Sequence, residues 1–196
     1  MSAPDLIIPT IETEHYILKP LEHKHAEALF LFLSDKKTMQ FITPHPVKTL
    51  AELEDQINEQ LAAFENKKEI PWVIQDKATH SIVGTIRFHK LRSWHRSCEI
   101  GVVLSPHFQQ KGVMTEIMPF LLDYGFKRLR LNRIVGDIFA GNQGSRRLLE
   151  RFGFQKEGVM RQTDFDGERF HDTVVYSMLK EEYELRMASG TIDSRK

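Results

Sequence analysis

The spacing of apolar residues changes along this chain, and each change marks an element. Over residues 23–35, Ala26, Leu29, Phe30 and Leu33 fall on one stripe, the spacing of an amphipathic helix. Leu50, Leu53, Ile57, Leu61 and Phe64 repeat it. Thr49-Leu50-Ala51-Glu52 at the head of that run fits a capping box. Between the two helices, Pro44 and Pro46 predict a loop over 36–48. Over 81–91 the period shortens: Ile82, Gly84, Ile86 and Phe88 alternate with Val83, Thr85, Arg87 and His89, as in a strand. Further strands are predicted over 15–21, 70–76, 98–104, 133–140, 154–165 and 170–179. Further helices are predicted over 113–128, 143–152 (stopped by Gly153) and 180–187. Asp166-Gly167 is a hairpin turn. The order β-α-α-β-β-β-α-β-α-β-β, closed by a short helix, sets antiparallel hairpins around one β-α-β-α core, a mixed α/β class.

A length of 196 residues fits one domain, read as 11–184, with 1–10 and 188–196 as tails. A composition 41% hydrophobic and 28% charged is that of an ordinary globular chain, able to bury a core without disulfide or metal staples. Cys98 is the single cysteine and cannot bridge internally. Residues 1–9 carry an acid and no basic stretch, unlike a secretory signal. No apolar run reaches the roughly 20 residues of a membrane helix. A cytoplasmic protein with no membrane partner is the expectation.

Lys plus Arg balances Asp plus Glu at 27 each, which argues against a protein built to grip nucleic acid. The charge is uneven, however. Residues 127–151 hold Lys127, Arg128, Arg130, Arg133, Arg146, Arg147 and Arg151 against Asp137 and Glu150. Residues 51–69 hold Glu52, Glu54, Asp55, Glu59, Glu65 and Glu69 against Lys67 and Lys68. The plain reading is two solvated helix faces. The sharper one is an anionic ligand near the first segment and a cationic substrate near the second.

The most informative stretch is 98–124, where a strand enters a loop with lysine and glycine that opens into a helix. A helix start presents unpaired N–H groups at the positive end of its dipole, a natural phosphate cradle, and Gly112 lets an anion approach the backbone. The stretch lacks the Gly-x4-Gly-Lys-Ser/Thr of a Walker loop and the triple glycine of a dinucleotide fingerprint. Pro119 falls inside the predicted helix and removes a backbone donor there, so a kink or a tight first turn is expected. Nine histidines show no His-x3-His or Cys/His cluster, so no metal is expected.

Gln109-Gln110-Lys111-Gly112-Val113-Met114 resembles the acetyl-CoA motif Gln/Arg-x-x-Gly-x-Gly/Ala of the GNAT superfamily. Glu99-Ile100-Gly101, Lys111-Gly112-Val113-Met114-Thr115-Glu116, Leu131-Asn132-Arg133-Ile134, Asn142-Gln143-Gly144-Ser145, Leu149-Glu150-x-x-Gly153-Phe154 and Gly167-Glu168-x-x-His171-Asp172 are similar to runs of its RimJ/RimL-type branch, as is the opening 11–21. Each match is weak alone, but together they are ordered and correctly spaced over about residues 11–182. The resemblance implies a mostly antiparallel seven-stranded sheet, splayed at the acetyl-CoA site and flanked by four or five helices. It also implies an acetyl-CoA-dependent N-acetyltransferase, from a branch in which homodimers are common.

Under that resemblance, Gln109, Gln110, Lys111, Gly112, Val113, Met114 and Thr115 bind the cofactor pyrophosphate region. Val103 and Leu104 bind the pantetheine by their backbone and polarise the thioester. Asn142 bonds the pantetheine arm, unless it is only a turn residue. Ser145 bonds the sulfur, unless it is only a helix-start serine. Glu99 or Asp164 is the general base, each with a plainer reading as a sheet acid or a hairpin-turn acid. Met114 stands where the motif has Gly or Ala. Leu149 stands where many members carry a catalytic tyrosine, which excludes that acid here. His171 and Asp172 are adjacent on a strand and point to opposite faces, so they are not a catalytic pair. Trp94, His95 and Arg96 read as an exposed turn. The acceptor is a protein N-terminal α-amine by the branch resemblance. A small amine, such as a polyamine or aminoglycoside, and a non-catalytic CoA-binding module are the competing readings.

Overall fold

In the computed structural model, residues 7–192 are described. Eight strands form one sheet in the order β1-β2-β3-β4-β5-β6-β8-β7. They are β1 (Ile11–Glu12), β2 (Tyr16–Pro20), β3 (Ile70–Asp76), β4 (Ile82–Arg92), β5 (Ser97–Leu104), β6 (Arg133–Phe139), β7 (Gln155–Phe165) and β8 (Phe170–Leu179). Six α-helices accompany them: α1 (Ala26–Leu33), α2 (Lys36–Met39), α3 (Leu50–Glu65), α4 (Val113–Asp123), α5 (Gln143–Phe152) and α6 (Lys180–Ala188). Every neighbouring pair is antiparallel except β5 and β6. The mixed α/β expectation holds, with one strand more than the seven expected. The extra strand is β1, whose two residues pair with Leu18 and Ile17 and are too short to show a period.

The sheet separates two apolar layers. On one face Trp72, Ile86, Phe88, Cys98, Ile134, Tyr176 and Met178 pack with Ile117, Met118, Leu121 and Leu122 of α4, Leu149 of α5 and Tyr183 of α6. On the other, Val73 packs with Leu29 and Phe32 of α1 and Leu53 and Ile57 of α3. The second layer takes its strand residues from the middle of the sheet, where Ile82 of β4 and Val103 of β5 pack beside Val73 of β3.

Local signals explain most boundaries. Thr49 caps α3 by accepting from the Glu52 amide at 3.2 Å, while the Glu52 carboxylate accepts from the Lys48 amide at 2.7 Å. Gly153 ends α5 at φ +88°, where a side chain would strike Arg186. Asp166 accepts from the amides of Glu168 and Arg169 at the β7–β8 hairpin. The expected loop over 36–48 contains α2, which Asp35 caps through the Thr38 amide at 2.7 Å. α4 runs unbroken through the buried Pro119 and passes at Tyr124 into a π turn ending at Arg128. Of the expected tails, residues 1–6 and 193–196 lie outside the described residues. Pro9 accepts a hydrogen bond from the Trp72 indole, and Ile192 is buried against the main core.

Candidate active site

β5 and β6 run side by side for three rungs only, Ser97 with Arg133, Cys98 with Ile134 and Glu99 with Val135. Beyond Glu99, β5 continues to Leu104 paired to β4 alone, and β6 continues to Phe139 paired to β8 alone. The two strands therefore part, and a cleft of about 450 Å³ lies in the opening. Gly136 helps to form the wedge. Leu149 of α5 packs so closely on it that a Cβ there would lie 2.8 Å from Leu149 Cδ1.

The cleft ends at the start of α4. Gly112 is the N-cap at φ +84°, a conformation that glycine takes without cost, and no side chain caps the helix. The first amides of α4 thus have no partner within the helix. An added Cβ at Gly112 would meet nothing within 4 Å, so the backbone is open to a ligand there. Gln110 is also left-handed, at φ +59°. The helix start is anchored from behind, because the Glu116 carboxylate accepts from the His15 amide at 2.7 Å and bonds Thr13 and the His15 ring.

Most residues singled out for the cofactor come together here. Val103, Leu104, Gln109, Gln110, Gly112, Val113, Met114, Thr115, Asn142 and Ser145 all line the cleft. The Gln109 side-chain amide donates to the Leu104 carbonyl at 3.1 Å, tying the loop to the end of β5. Asn142 Oδ1 accepts from the Ser145 amide at 3.0 Å and caps α5. Its turn role is thus real, and the Nδ2 group and the Ser145 hydroxyl carry no other bond among the described residues. Lys111 stands apart, its ammonium 5.6 Å over the Phe108 ring.

The two carboxylates proposed as bases do not line the cleft. Glu99 is largely buried and paired with Lys90 at 2.7 Å. Asp164 accepts hydrogen bonds from Thr163 and Thr173. The carboxylate that does line the cleft is Asp137, two residues past the last β5–β6 rung. Among the described residues it makes no hydrogen bond or ion pair. Although Asp137 is exposed at the cleft mouth, partial desolvation by the surrounding walls, and next the charge of Glu99, push its carboxyl above the ordinary range. Strand alternation was the only signal in the sequence that set Asp137 apart, and it does not say which face opens.

The charge segments resolve differently. Arg147 lines the cleft, while Arg133, Arg146 and Lys127 pair with Glu157, Glu150 and Asp123. No residue of α3 lines it, and Glu69 is buried against Arg87 at 3.2 Å. His171 bonds Asp166 and lies 5.6 Å from the Phe139 ring, while Asp172 accepts from the Gln162 amide at 2.9 Å. Trp94 is 92% exposed on its turn.

The residues fit a CoA thioester. Open amides at Gly112 and the Arg147 guanidinium suit its phosphates, and Ile100, Val102, Met118 and Leu148 give an apolar wall for its arm. Comparison with known proteins agrees. Residues 15–155 match the family described as acetyltransferase (GNAT) domain. The chain is 34% identical over 174 residues to the uncharacterized N-acetyltransferase YoaA of Bacillus subtilis, covering 89% of this chain and 98% of that protein. It superposes with TM-score 0.78 on the spermidine N-acetyltransferase of Vibrio cholerae in complex with CoA and spermine, at 24% identity, covering 87% and 98% of the two chains. It superposes with TM-score 0.82 on RimL, a ribosomal L7/L12 alpha-N-protein acetyltransferase in complex with coenzyme A, at 20% identity, covering 89% and 99%. At these identities the last two show the fold alone. A strand pair that splays beside an uncapped glycine-led helix, in a chain aligned almost end to end with an N-acetyltransferase, places this protein in the GNAT acetyltransferase family.

Proposed function

We propose that this N-acetyltransferase moves the acetyl group of acetyl-CoA to a protein N-terminal α-amine, in the manner of the RimJ/RimL-type branch, by direct attack with both substrates bound. The observation that carries the choice of acceptor is the acceptor wall of the cleft. It holds one unpaired carboxylate, Asp137, because Glu99 is taken by Lys90 and Asp164 by threonines, and the acids of α3 lie elsewhere. One free carboxylate matches one ammonium, whereas a polyamine would bring several. The spermidine acetyltransferase fold-mate keeps the polyamine reading as the second candidate.

In this reading the amides from Gln110 to Thr115 hold the pyrophosphate, with Gln109 bracing the loop and Lys111 at its rim. The backbone of Val103 and Leu104 holds the pantetheine arm and polarises the thioester carbonyl. Asn142 Nδ2 donates to the same arm, and the Ser145 hydroxyl faces the sulfur. These residues contribute positioning and fixed dipoles rather than covalent chemistry. An α-amine, with a pKa of about 7.7–8.0, needs only modest help to reach its neutral form, whereas a lysine near 10.4 needs more.

The test is CoA release from acetyl-CoA across N-terminal peptides, polyamines, aminoglycosides and amino acids. Turnover confined to the peptides supports the reading. Turnover confined to polyamines overturns the acceptor assignment, and acetyl-CoA binding with no turnover of any amine favours a non-catalytic module.

A further inference from the structure

The acceptor wall has its own geometry, apart from the CoA-facing wall. Val135, Asp137 and Phe139 alternate onto one face of β6, opposite the face on which Gly136 meets Leu149. On that side Phe41, just past α2, lies with its ring 6.4 Å from the Phe139 ring and lines the same cleft as Asp137. An open carboxylate beside two aromatic rings is the arrangement that recognises an ammonium ion, by a charge-assisted hydrogen bond and by attraction to ring faces.

We propose that Asp137 is a catalytic residue that receives the acceptor's ammonium group beside Phe41 and Phe139 and takes its proton before attack; the inference rests on the transferase reading above. One proton passes from R–NH3⁺ to the Asp137 carboxylate, leaving a neutral amine with its lone pair. A C–N bond forms at the thioester carbonyl carbon and the C–S bond breaks. The second proton lost by nitrogen ends on the departing sulfur. Asp137 returns its proton to water through the open mouth of the cleft, so the sum is amide, CoA thiol and one proton.

The surroundings suit this task. Asp137 lies within electrostatic reach of Glu99 of β5, Lys90 of β4, Arg133 of its own strand and Asp164 of β7. Lys37 of α2 lines the cleft, and the His171 ring of β8 lies 5.6 Å from the Phe139 ring, tilted at 47° to it. Partial desolvation by the cleft walls first, then Glu99 and to a lesser degree Asp164, raise the affinity of Asp137 for a proton, while Lys90 and Arg133 restrain it.

The test compares wild type with Asp137→Asn on two probes, a peptide with a free alanine N-terminus and spermidine, using whichever releases CoA faster in the wild type. Between pH 6 and 8 the wild-type kcat/KM stays nearly flat. That of Asp137→Asn starts on the order of 100-fold lower and climbs about tenfold per pH unit, as the amine loses its proton unaided. Calorimetry at pH 7 shows at least tenfold weaker binding of the probe amine to the CoA-loaded variant, with acetyl-CoA affinity and Tm unchanged. Asp137→Ala repeats the profile should the first variant fold poorly, and Asp137→Glu recovers part of the loss. A variant profile parallel to wild type, or unchanged amine affinity, overturns the role of Asp137 while wild-type turnover keeps the transferase reading. Absence of wild-type turnover on both probes and on every other amine of the panel overturns both.

Discussion

The same two strands behave in opposite ways at their two ends. Where β5 and β6 begin, three rungs close the seam, Cys98 and Ile134 are buried beneath it, and the Arg96 carbonyl accepts from the amides of Asn132 and Arg133 at 2.6 and 3.2 Å. Where they end, the seam is open and each strand keeps a partner on one edge only. The closed half is a folding device: backbone groups are paired and apolar side chains are dry. The open half leaves backbone groups toward a cleft, beside the uncapped amides of α4, where a ligand or water must satisfy them. Stability and binding are thus assigned to different residues of one strand pair, and the two should be separable by mutation.

The largest effect is expected in the closed half. Ile134→Ala removes a fully buried side chain and should cost about 2–5 kcal/mol in denaturant unfolding, with acetyl-CoA affinity of the folded protein little changed. Next comes the open half. Gly112→Ala puts a Cβ where the ligand approaches and strains φ +84°. It should weaken acetyl-CoA binding about 10–100-fold by calorimetry, or roughly 1.4–2.7 kcal/mol, and exceed its own cost to stability.

A pH effect sharpens the contrast from the closed side. His89 pairs with Glu99 in the β4–β5 ladder. Burial, and next the charge of Arg87, lower its pKa to about 4. An unfolded histidine titrates near 6.5, so between those values the folded protein binds fewer protons than the unfolded chain. Stability should therefore fall as pH drops from about 6.5 to 4, by about 1–2 kcal/mol after allowance for partial exposure. His89→Gln should flatten that part of a Tm-against-pH curve. The smallest effect is Ser145→Ala, expected to lower kcat about tenfold while raising the acetyl-CoA KM less, as for a group that orients the sulfur. An unchanged kcat removes Ser145 from the chemistry.

What the sequence revealed of this site was local. The turn at Gly112 and the Asn142–Ser145 cap each join neighbours a few residues apart, so the short runs that carry the family resemblance pointed to them. The pairing of Glu99 with Lys90 joins residues across a hairpin and disqualifies Glu99 as a free base, a fact no spacing carries. Asp137 was invisible for the converse reason: its isolation depends on β6 parting from β5 and on the contacts that other acids make. The acidic run over 51–69 suggested a cationic substrate, yet α3 turns none of it to the cleft. Among the elements, β1 and α2 are shorter than the periods that reveal strands and helices. Ile192, a lone apolar residue in a polar stretch, has no pattern around it to announce its burial.

The central claim is that the open half of the β5–β6 seam is the acetyl-CoA site. The most direct test is a titration of the isotope-labelled protein with acetyl-CoA, followed amide by amide by NMR. The account predicts saturable shifts at Val103, Leu104, Gln110 to Thr115, and Asn142 to Ser145, with Cys98, Glu99, Ile134 and Val135 little moved. Absence of shifts, or shifts centred on the closed half near Arg96 and Asn132, would contradict it.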